Sequence, residues 1–230
     1  ADDIDGLTNN DPFTVNKKSA EYGTLSLTEE WQTVNLTKTY SNPVVIVSDL
    51  SLNEDQPATT RIRNISSNSF EIKIVEPSNL DGTHDTETAT YFVGESGDHQ
   101  LSDGTRITLG TTTSDSLSEN DSTKTVDIDN SFSNPAIFTQ IQTTKEDNYF
   151  VTRVLNTSSS GFNIAVQEQE SESTHNHPSE IIGYLAIEQG SANDNSTSIE
   201  VGRTDNSVTH SSHTQLFSNS FNAVPGLIVK

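Results

Sequence analysis

Histidine and glutamate recur in this sequence at a spacing that suits metal binding or proton transfer. His84 precedes Glu87 by three residues, His177 precedes Glu180 in the same way, and His175 lies nearby. An imidazole and a carboxylate at this spacing can share a metal ion or form an acid–base pair. They can also form a structural contact, in which the histidine donates to the glutamate or to backbone and holds a loop against a strand. Because the motif occurs twice in tandem, which is unusual for an active site, the structural interpretation is favoured.

Arginine and glutamate form a second duplicated polar set. Arg61 and Arg153 occupy equivalent positions in the two halves of the chain, and so do Glu95 and Glu188 further along. A half-buried arginine in a β-sandwich needs a carboxylate and carbonyl oxygens around its guanidinium group. The pattern therefore predicts an internal ion pair in each half of the chain, between Arg61 and Glu95 and between Arg153 and Glu188.

Acidic loops offer oxygen ligands of the kind that calcium takes. One loop contains Asp49, Asn53, Glu54 and Asp55, and another contains Glu168, Glu170 and Glu172. The metal candidates singled out among them are Asp49, Asp55, Glu168 and Glu170, and His175 is close enough in sequence to join the second loop. No segment has the spacing of an EF-hand, so a calcium site would be assembled across loops and would stabilise the fold. Solvated loops without an ion remain the alternative.

The sequence lacks the motifs of nucleophilic, nucleotide-dependent and thiol catalysis. It contains no Gly-x-Ser-x-Gly, Walker or dinucleotide-binding glycine pattern, and it has no cysteine. Without cysteine there is no thiol nucleophile, disulfide, thiolate zinc site or iron–sulfur cluster. We therefore expect a protein that is not an enzyme, with calcium as the one cofactor to consider.

A tandem repeat organises the chain. The segment ending in Pro43 matches the segment ending in Pro135, and the same interval relates Arg61 to Arg153. Further matches at this interval, give or take one residue, are Phe70 with Phe162, Glu76 with Glu168, His84 with His177, Tyr91 with Tyr184 and Glu95 with Glu188. The pattern begins a third time near residue 216, and Pro225 follows in the position of Pro135. A shared interval across so many residue types indicates repeated structural units.

The repeat divides the chain into four parts. Residues 1–19 precede the pattern and are predicted to be an arm or linker. Residues 20–109 form the first repeat, and residues 110–201 form the second. Residues 202–230 are predicted to be an incomplete third repeat, an orphan strand pair.

Each repeat has the alternating pattern of β-strands. Apolar residues occupy every second position in two equivalent segments, which contain Phe70, Ile72 and Ile74, and Phe162, Ile164 and Val166. Such alternation places one face of a strand in a core, so Phe70 and Phe162 are predicted to be equivalent core residues. About six strands per repeat, without a sustained helical period, predict an all-β protein of tandem antiparallel β-sandwich repeats.

The order of motifs resembles a known kind of repeat. Asn-Pro before an apolar strand, Arg-x-x-Asn before a turn, a Phe-led strand, an acidic loop with His-x-x-Glu and a Tyr strand ending in Glu follow one another in both copies. This order resembles repeats of large secreted proteins of marine bacteria and cyanobacteria. More loosely, it is similar to the H-type lectin domain, an antiparallel sandwich that associates in threes and binds sugars at its edges. That family often has Trp where this chain has Tyr91 and Tyr184, so no lectin ligand residue is assigned.

Charge excludes several partners. The chain has 12 lysine and arginine residues against 33 aspartate and glutamate residues, a net charge of −21 and a pI near 4.3. A protein that tracks phosphates or anionic lipids needs a basic face, so nucleic-acid binding and membrane insertion are not expected. A chain this acidic suits a salty or calcium-containing medium, where counterions screen its self-repulsion. We expect an extracellular or cell-surface location.

Two classes of function remain open. The first is a non-catalytic extracellular structural or adhesive repeat protein, such as a matrix, filament or surface-layer subunit. Its partner would be another copy of itself, which it would contact by adding a C-terminal strand, Gly226, Leu227, Ile228 and Val229, to a neighbouring sheet. The second is a glycan-binding module of a larger secreted protein, whose partners would be surface glycans.

Overall fold

The computed structural model describes residues 20–129, 132–169, 177–194, 197–205, 208–209, 211 and 213–230. The predicted arm, residues 1–19, lies outside the described residues, and so do Glu170 and His175. Apart from one short 3-10 turn at Ser118–Asn120, the regular structure in the described ranges is β-strand. The all-β prediction is therefore confirmed.

Six strands build the first sandwich. They are β1 (Glu21–Leu27), β2 (Gln32–Asn35), β3 (Pro43–Val47), β4 (Thr59–Arg63), β5 (Ser69–Val75) and β6 (Glu87–Glu95). One antiparallel sheet has the order β1-β6-β3 and the other has the order β2-β5-β4. The alternation on β5 buries Phe70, Ile72 and Ile74 between these sheets, as predicted.

Seven strands build the second sandwich. They are β7 (Gly97–Gln100), β8 (Arg106–Ser114), β9 (Lys124–Asp127), β10 (Pro135–Ile141), β11 (Phe150–Ser158), β12 (Gly161–Glu168) and β13 (Glu180–Glu188). The sheets have the orders β10-β13-β8-β7 and β11-β12-β9. Phe162 and Ile164 are buried between them. The predicted boundary between residues 109 and 110 falls inside β8, since the β7–β8 hairpin belongs to the second sandwich.

A final hairpin repeats the β7–β8 hairpin. It consists of β14 (Gly190–Asp194) and β15 (Thr197–Val201), which pair only with each other among the described residues. Beyond Val201 the described residues form no strand, so they do not show the strand pair predicted within 202–230. The physical reason is that residues 225–229 have no neighbouring strand, within the part of the chain that the structure describes, with which to form a ladder.

A third apolar core joins the two sandwiches. Val45 and Val47 of β3 face the first sandwich, whereas Val44 and Ile46 on the opposite face pack against the second. This shared core contains Val44, Ile46, Leu101, Ile107, Leu109, Ala136, Leu185, Ile187, Ala192 and Val201. Because β3 is apolar on both faces, it is buried in both directions, which explains its continuous Val-Val-Ile-Val sequence.

Candidate functional site: twin histidine–glutamate clusters and the contact between repeats

The first cluster joins three loop regions of the first repeat around His84. Glu54 lies in the loop between β3 and β4, Glu76 directly follows β5, and His84 lies in the loop before β6. His84 Nδ1 is 2.8 Å from Glu76 Oε1 and 3.6 Å from Glu54 Oε2. On the other side of the ring, His84 Nε2 is 3.4 Å from Glu87 Oε1. His84 and Glu87 of the His-x-x-Glu motif are therefore in contact.

The second cluster repeats this arrangement around His177. Its Nδ1 is 3.4 Å from Glu146 Oε2 and 3.5 Å from Glu168 Oε1. The imidazole packs edge-on against Phe150, with ring centroids 4.0 Å apart. Glu180 is buried and turned to other partners: it accepts from Lys145 N at 2.7 Å and from the Thr143 hydroxyl.

The two clusters have the same composition and occupy equivalent positions. Each contributes one histidine and two glutamates, whose nearest ligand atoms all lie within 4.8 Å of one another. Of these six residues the sequence marked Glu168 as a metal candidate, Glu54 as part of an acidic loop, and both histidines as parts of a contact that is more often structural; Glu76 was only a repeat match, and Glu146 had no predicted role. The missed signal is the Glu-Asp pair that begins at Glu54 and recurs at Glu146.

Electrostatics in the first cluster favour a charged imidazole. Burial opposes protonation of His84, but the hydrogen bond with Glu76 and the charges of Glu54 and Glu87 outweigh it and raise the pKa of the imidazole. Burial likewise opposes ionisation of Glu87. Hydrogen bonds from Ser51 and from backbone N–H groups outweigh it, and they lower the pKa of this carboxyl group.

Of the four predicted metal candidates, Asp49 and Asp55 are not among the cluster residues. Asp55 is exposed. Asp49 Oδ1 is 3.5 Å from Lys230 Nζ. Glu168 belongs to the second cluster, and Glu170 lies outside the described residues. The predicted calcium ligands are thus not brought together into one site among the described residues.

Arg61 connects the two repeats. It stands on β4 of the first sandwich, yet its guanidinium is fully buried against the second, 3.7 Å from the ring centre of Phe150. Nη1 donates to Asn148 O at 2.8 Å, and Nη2 donates to Glu146 O at 3.1 Å. Nη2 also lies 3.4 Å from Glu180 Oε1. Burial lowers the pKa of Arg61 to about 10, so the group remains charged at neutral pH.

The predicted pairing of Arg61 with Glu95 and of Arg153 with Glu188 is wrong. Arg61 finds its carboxylate in the next repeat, and Arg153 is exposed, with its Nε bonded to Gln167. Glu95 instead accepts from the backbone N–H groups of residues 41 and 42, at 2.8 Å each, and Glu188 accepts from residues 133 and 134. The reason is local: each Glu ends its strand beside the turn that leads into the Asn-Pro strand, where unpaired N–H groups need an acceptor.

A side-chain amide of the second repeat also hydrogen-bonds to the backbone of the first. Gln142, just after β10, donates from Nε2 to Val45 O at 2.7 Å and accepts from Val45 N at 3.0 Å through Oε1. The amide thus takes the place of a neighbouring strand at the open edge of β3. Gly183 on β13 allows this approach, because a Cβ there would lie 2.9 Å from Val44 Cγ1.

The predicted docking strand rests on its own chain. Gly226 lies against Tyr22 and Thr90, since a Cβ there would be 3.2 Å from Tyr22 Cε2 and 3.8 Å from Thr90 Cγ2. Val229 O accepts from Asp49 N at 3.1 Å, and Ile228 packs on the shared core. Leu227 and Val229, which alternate along the chain with Gly226 and Ile228, are each 51% exposed. Docking on a neighbouring molecule stays a prediction.

This contact repeats the one between the first two repeats. Gly226 has the position of Val44 in its repeat, and Thr90 has the position of Gly183. Val44 packs on Gly183, and Gly226 packs on Thr90. The opening of the third repeat therefore contacts the first repeat as the first contacts the second.

An apolar cleft of about 490 Å³ is lined by β15 and by residues 225–228, together with residues 217 and 220–224. Its walls include Phe92, Leu109, Phe138, Leu185, Ile199 and Ile228. In the first two repeats a strand occupies the equivalent place: β6 lies between β1 and β3, and β13 lies between β8 and β10. Among the described residues no third strand of this type fills the cleft.

Three equivalent glycines mark the position of this type of strand. Gly23 and Gly110 face Tyr91 and Tyr184 across the sheet so closely that a Cβ would lie 2.7 Å and 2.4 Å from the nearest tyrosine atom. Around Gly202 no atom of the described residues lies within 4 Å of the corresponding position. The third glycine is thus present without its tyrosine.

Comparison with known proteins finds similarity to a very large protein. The chain is 33% identical over 190 residues to Halomucin of Haloquadratum walsbyi, and the match covers 78% of this chain and 2% of that protein. This chain therefore corresponds to a very small part of its relative. No family model matches the sequence, and no solved structure matches it. The described residues contain no helix that is long and apolar enough to span a membrane.

Proposed function

We propose that this chain is a structural segment of a large extracellular protein, in which two β-sandwich repeats and the opening of a third surround one shared core as an incomplete ring. The observation that carries the proposal is that Ile46, Phe138 and Ile228, which occupy the same position after the proline of each repeat, all pack on that core. A head-to-tail contact that returns to its starting unit closes instead of extending into a fibre.

One further strand would complete this ring. The cleft between β15 and residues 225–228 takes a strand of the same type as β6 and β13, which carries a tyrosine opposite Gly202 and ends in glutamate. Continuity with the shared core favours this occupant, as do the apolar residues that the third repeat leaves exposed. Leu227 and Val229 have the positions of the buried Val45 and Val47, so their exposure indicates a third sandwich core that is not closed.

Several features support an extracellular structural role. The relative's name is that of a mucin, a class of extracellular proteins, and the great length of the relative fits an array of repeats. The net charge of −21 suits a saline exterior. The polar groups that join the repeats, Arg61 and Gln142, are buried in the contact, so they fix the repeats relative to each other.

A peptide added in trans tests the ring. A peptide with the sequence of residues 179–189, which includes β13, should bind the 230-residue chain with a stoichiometry of one, measured by isothermal titration calorimetry. The control peptide carries the same composition in scrambled order. Binding by both peptides alike, or by neither, would overturn the proposed strand position.

A pair of glycine variants sharpens this test. Gly202→Val should leave the unfolding transition of the chain unchanged, because the space there is open, but should abolish peptide binding because the tyrosine can no longer approach. Gly110→Val should instead destabilise the second sandwich, where Tyr184 already occupies that space. If Gly202→Val binds the peptide as the parent chain does, the strand does not lie beside Gly202.

A further inference from the structure

The two histidine–glutamate clusters have features that a structural contact alone does not explain. Each brings one imidazole and two carboxylates to a point from three separate loop regions, and the same three residue types meet in both repeats. Two carboxylates facing one small space repel each other, and burial increases that cost. Glu76, His84, Glu168 and His177 are all buried. A positive charge offsets this repulsion: a protonated imidazole such as His84 supplies one unit, and a bound divalent ion would supply two.

The second cluster shows an unpartnered imidazole at its centre. His177 is 4% exposed, and neither ring nitrogen has a hydrogen-bond partner among the residues that the structure describes. Its Nδ1 nevertheless faces Glu146 and Glu168. A buried imidazole nitrogen without a hydrogen bond is costly, and the cost at Nδ1 is removed if this atom binds an ion that the two carboxylates also bind.

The spacing of the ligand atoms fits a metal ion. Ligand atoms held about 2.0–2.2 Å from one zinc ion at tetrahedral angles lie about 3.3–3.6 Å apart. His177 Nδ1 is 3.4 Å from Glu146 Oε2 and 3.5 Å from Glu168 Oε1. In the first cluster the 3.6 Å distance between His84 Nδ1 and Glu54 Oε2 fits this spacing, whereas Glu76 Oε1 lies at a hydrogen-bonding distance of 2.8 Å and would have to move away from Nδ1 to share an ion with it.

We propose that each cluster binds one divalent transition-metal ion of the zinc class. Glu54, Glu76 and His84 are the ligands in the first repeat, and Glu146, Glu168 and His177 are the ligands in the second. An imidazole ligand favours zinc and its neighbours, whereas calcium prefers an all-oxygen shell. The two carboxylates balance the charge of the ion.

The ion would have a structural role, because it ties loops together. In each repeat it links the long loop after the Asn-Pro strand, the end of the Phe-led strand and the loop before the Tyr strand. The second site also lies next to the repeat contact, since Arg61 donates to the backbone carbonyl of Glu146. Metal binding in the second cluster therefore orders the loop that receives Arg61.

Metal stoichiometry tests the proposal. The chain, without an affinity tag, is equilibrated with zinc in metal-free buffer, and bound metal is measured by plasma mass spectrometry. We expect about two zinc ions per chain, one for each cluster. Glu54→Gln and Glu146→Gln should each remove one ion, and the double variant should bind none. These substitutions keep the side-chain shape, and both positions are partly exposed, so the variants should fold.

Control measurements distinguish binding at the clusters from zinc held elsewhere on this acidic chain. Glu30→Gln, at an exposed position outside the clusters, should keep both ions. The melting temperature of the parent chain should rise with zinc, and that of the double variant should not. Stoichiometric calcium binding at the same ligands, with no zinc bound, would overturn the choice of metal. Absence of metal from the folded parent chain, or two zinc ions retained in the double variant, would overturn the sites.

Discussion

Arg61 and Arg153 have the same position in two repeats and opposite surroundings. Arg61 is buried in the next repeat, whereas Arg153 is exposed at the equivalent place. Neither environment follows from the sequence, because the partner of Arg61 comes from another sandwich. Composition and spacing identify a residue type that recurs in the repeat, but only the docking of whole sandwiches determines which carboxylate it meets.

The arginine pair gives a matched prediction. Arg61→Ala should lower the free energy of unfolding by about 3–5 kcal/mol, because Glu180 and several carbonyls lose a buried donor. Arg153→Ala should change it by no more than about 0.5 kcal/mol, as expected for an exposed side chain. Urea unfolding measures both. Equal losses in the two variants would contradict the assignment of Arg61 to the repeat contact.

The equivalent phenylalanines give a second prediction. Phe70 is 0% exposed and Phe162 is 2% exposed, and each packs edge-on against the tyrosine of its own repeat. Truncating either to alanine should cost about 3–5 kcal/mol of unfolding free energy. Leu52→Ala is the control, because Leu52 is 80% exposed. A loss below about 1 kcal/mol at both phenylalanines would mean that they are not core residues.

Strands were the most predictable elements. The alternation of apolar residues on β5 and β12 identified which face is buried. Successive side chains of a strand point to opposite faces, so the face that carries the apolar residues must be the one in the core. The strand β3 was also predicted, but its second buried face was not, since a run of four apolar residues does not say what covers each side. The sequence does not show that β7 and β8 form one hairpin across the predicted boundary between residues 109 and 110, because the strand that pairs with β8, β13, lies far along the chain.

The C-terminal segment is held to β15 by a carboxylate that gives a pH prediction. Glu200 accepts from Ser218 N at 2.8 Å and Asn219 N at 2.7 Å, and these bonds lower the pKa of its carboxyl group. A lowered pKa in the folded state means that the stabilisation is present above the unfolded value and is lost as pH falls through the folded value. Acidification should therefore release this segment.

Hydrogen exchange of backbone amides as a function of pH measures whether this segment is released. Amides of residues 218–219 should lose protection below about pH 4.5, the ordinary range of a glutamate carboxyl, while those of β5 remain protected. Glu200→Gln, which cannot ionise, should show weaker and pH-independent protection in the same region. Uniform protection of residues 218–219 from neutral to strongly acidic pH would show that Glu200 does not anchor the segment.

The whole molecule combines a strong negative charge with three apolar cores. A net charge of −21 on 230 residues destabilises the compact state by self-repulsion, and the cores must outweigh it. Salt reduces the repulsion, since the screening length falls from about 10 Å at 0.1 M to about 3 Å at 1 M. The melting temperature should therefore rise steeply over this range of sodium chloride.

Charge variants distinguish screening from a general salt effect on apolar burial. Asp55, Asp115 and Asp121 are exposed, so replacing all three with asparagine should raise the melting temperature at low salt and flatten its dependence on sodium chloride. Because screening acts on the charges that remain, the variant and the parent chain should converge at high salt. Parallel curves for the two proteins would instead assign the salt effect to the apolar cores, which salt strengthens without regard to surface charge. A melting temperature independent of salt in the parent chain would mean that the charge is already neutralised by tightly bound cations.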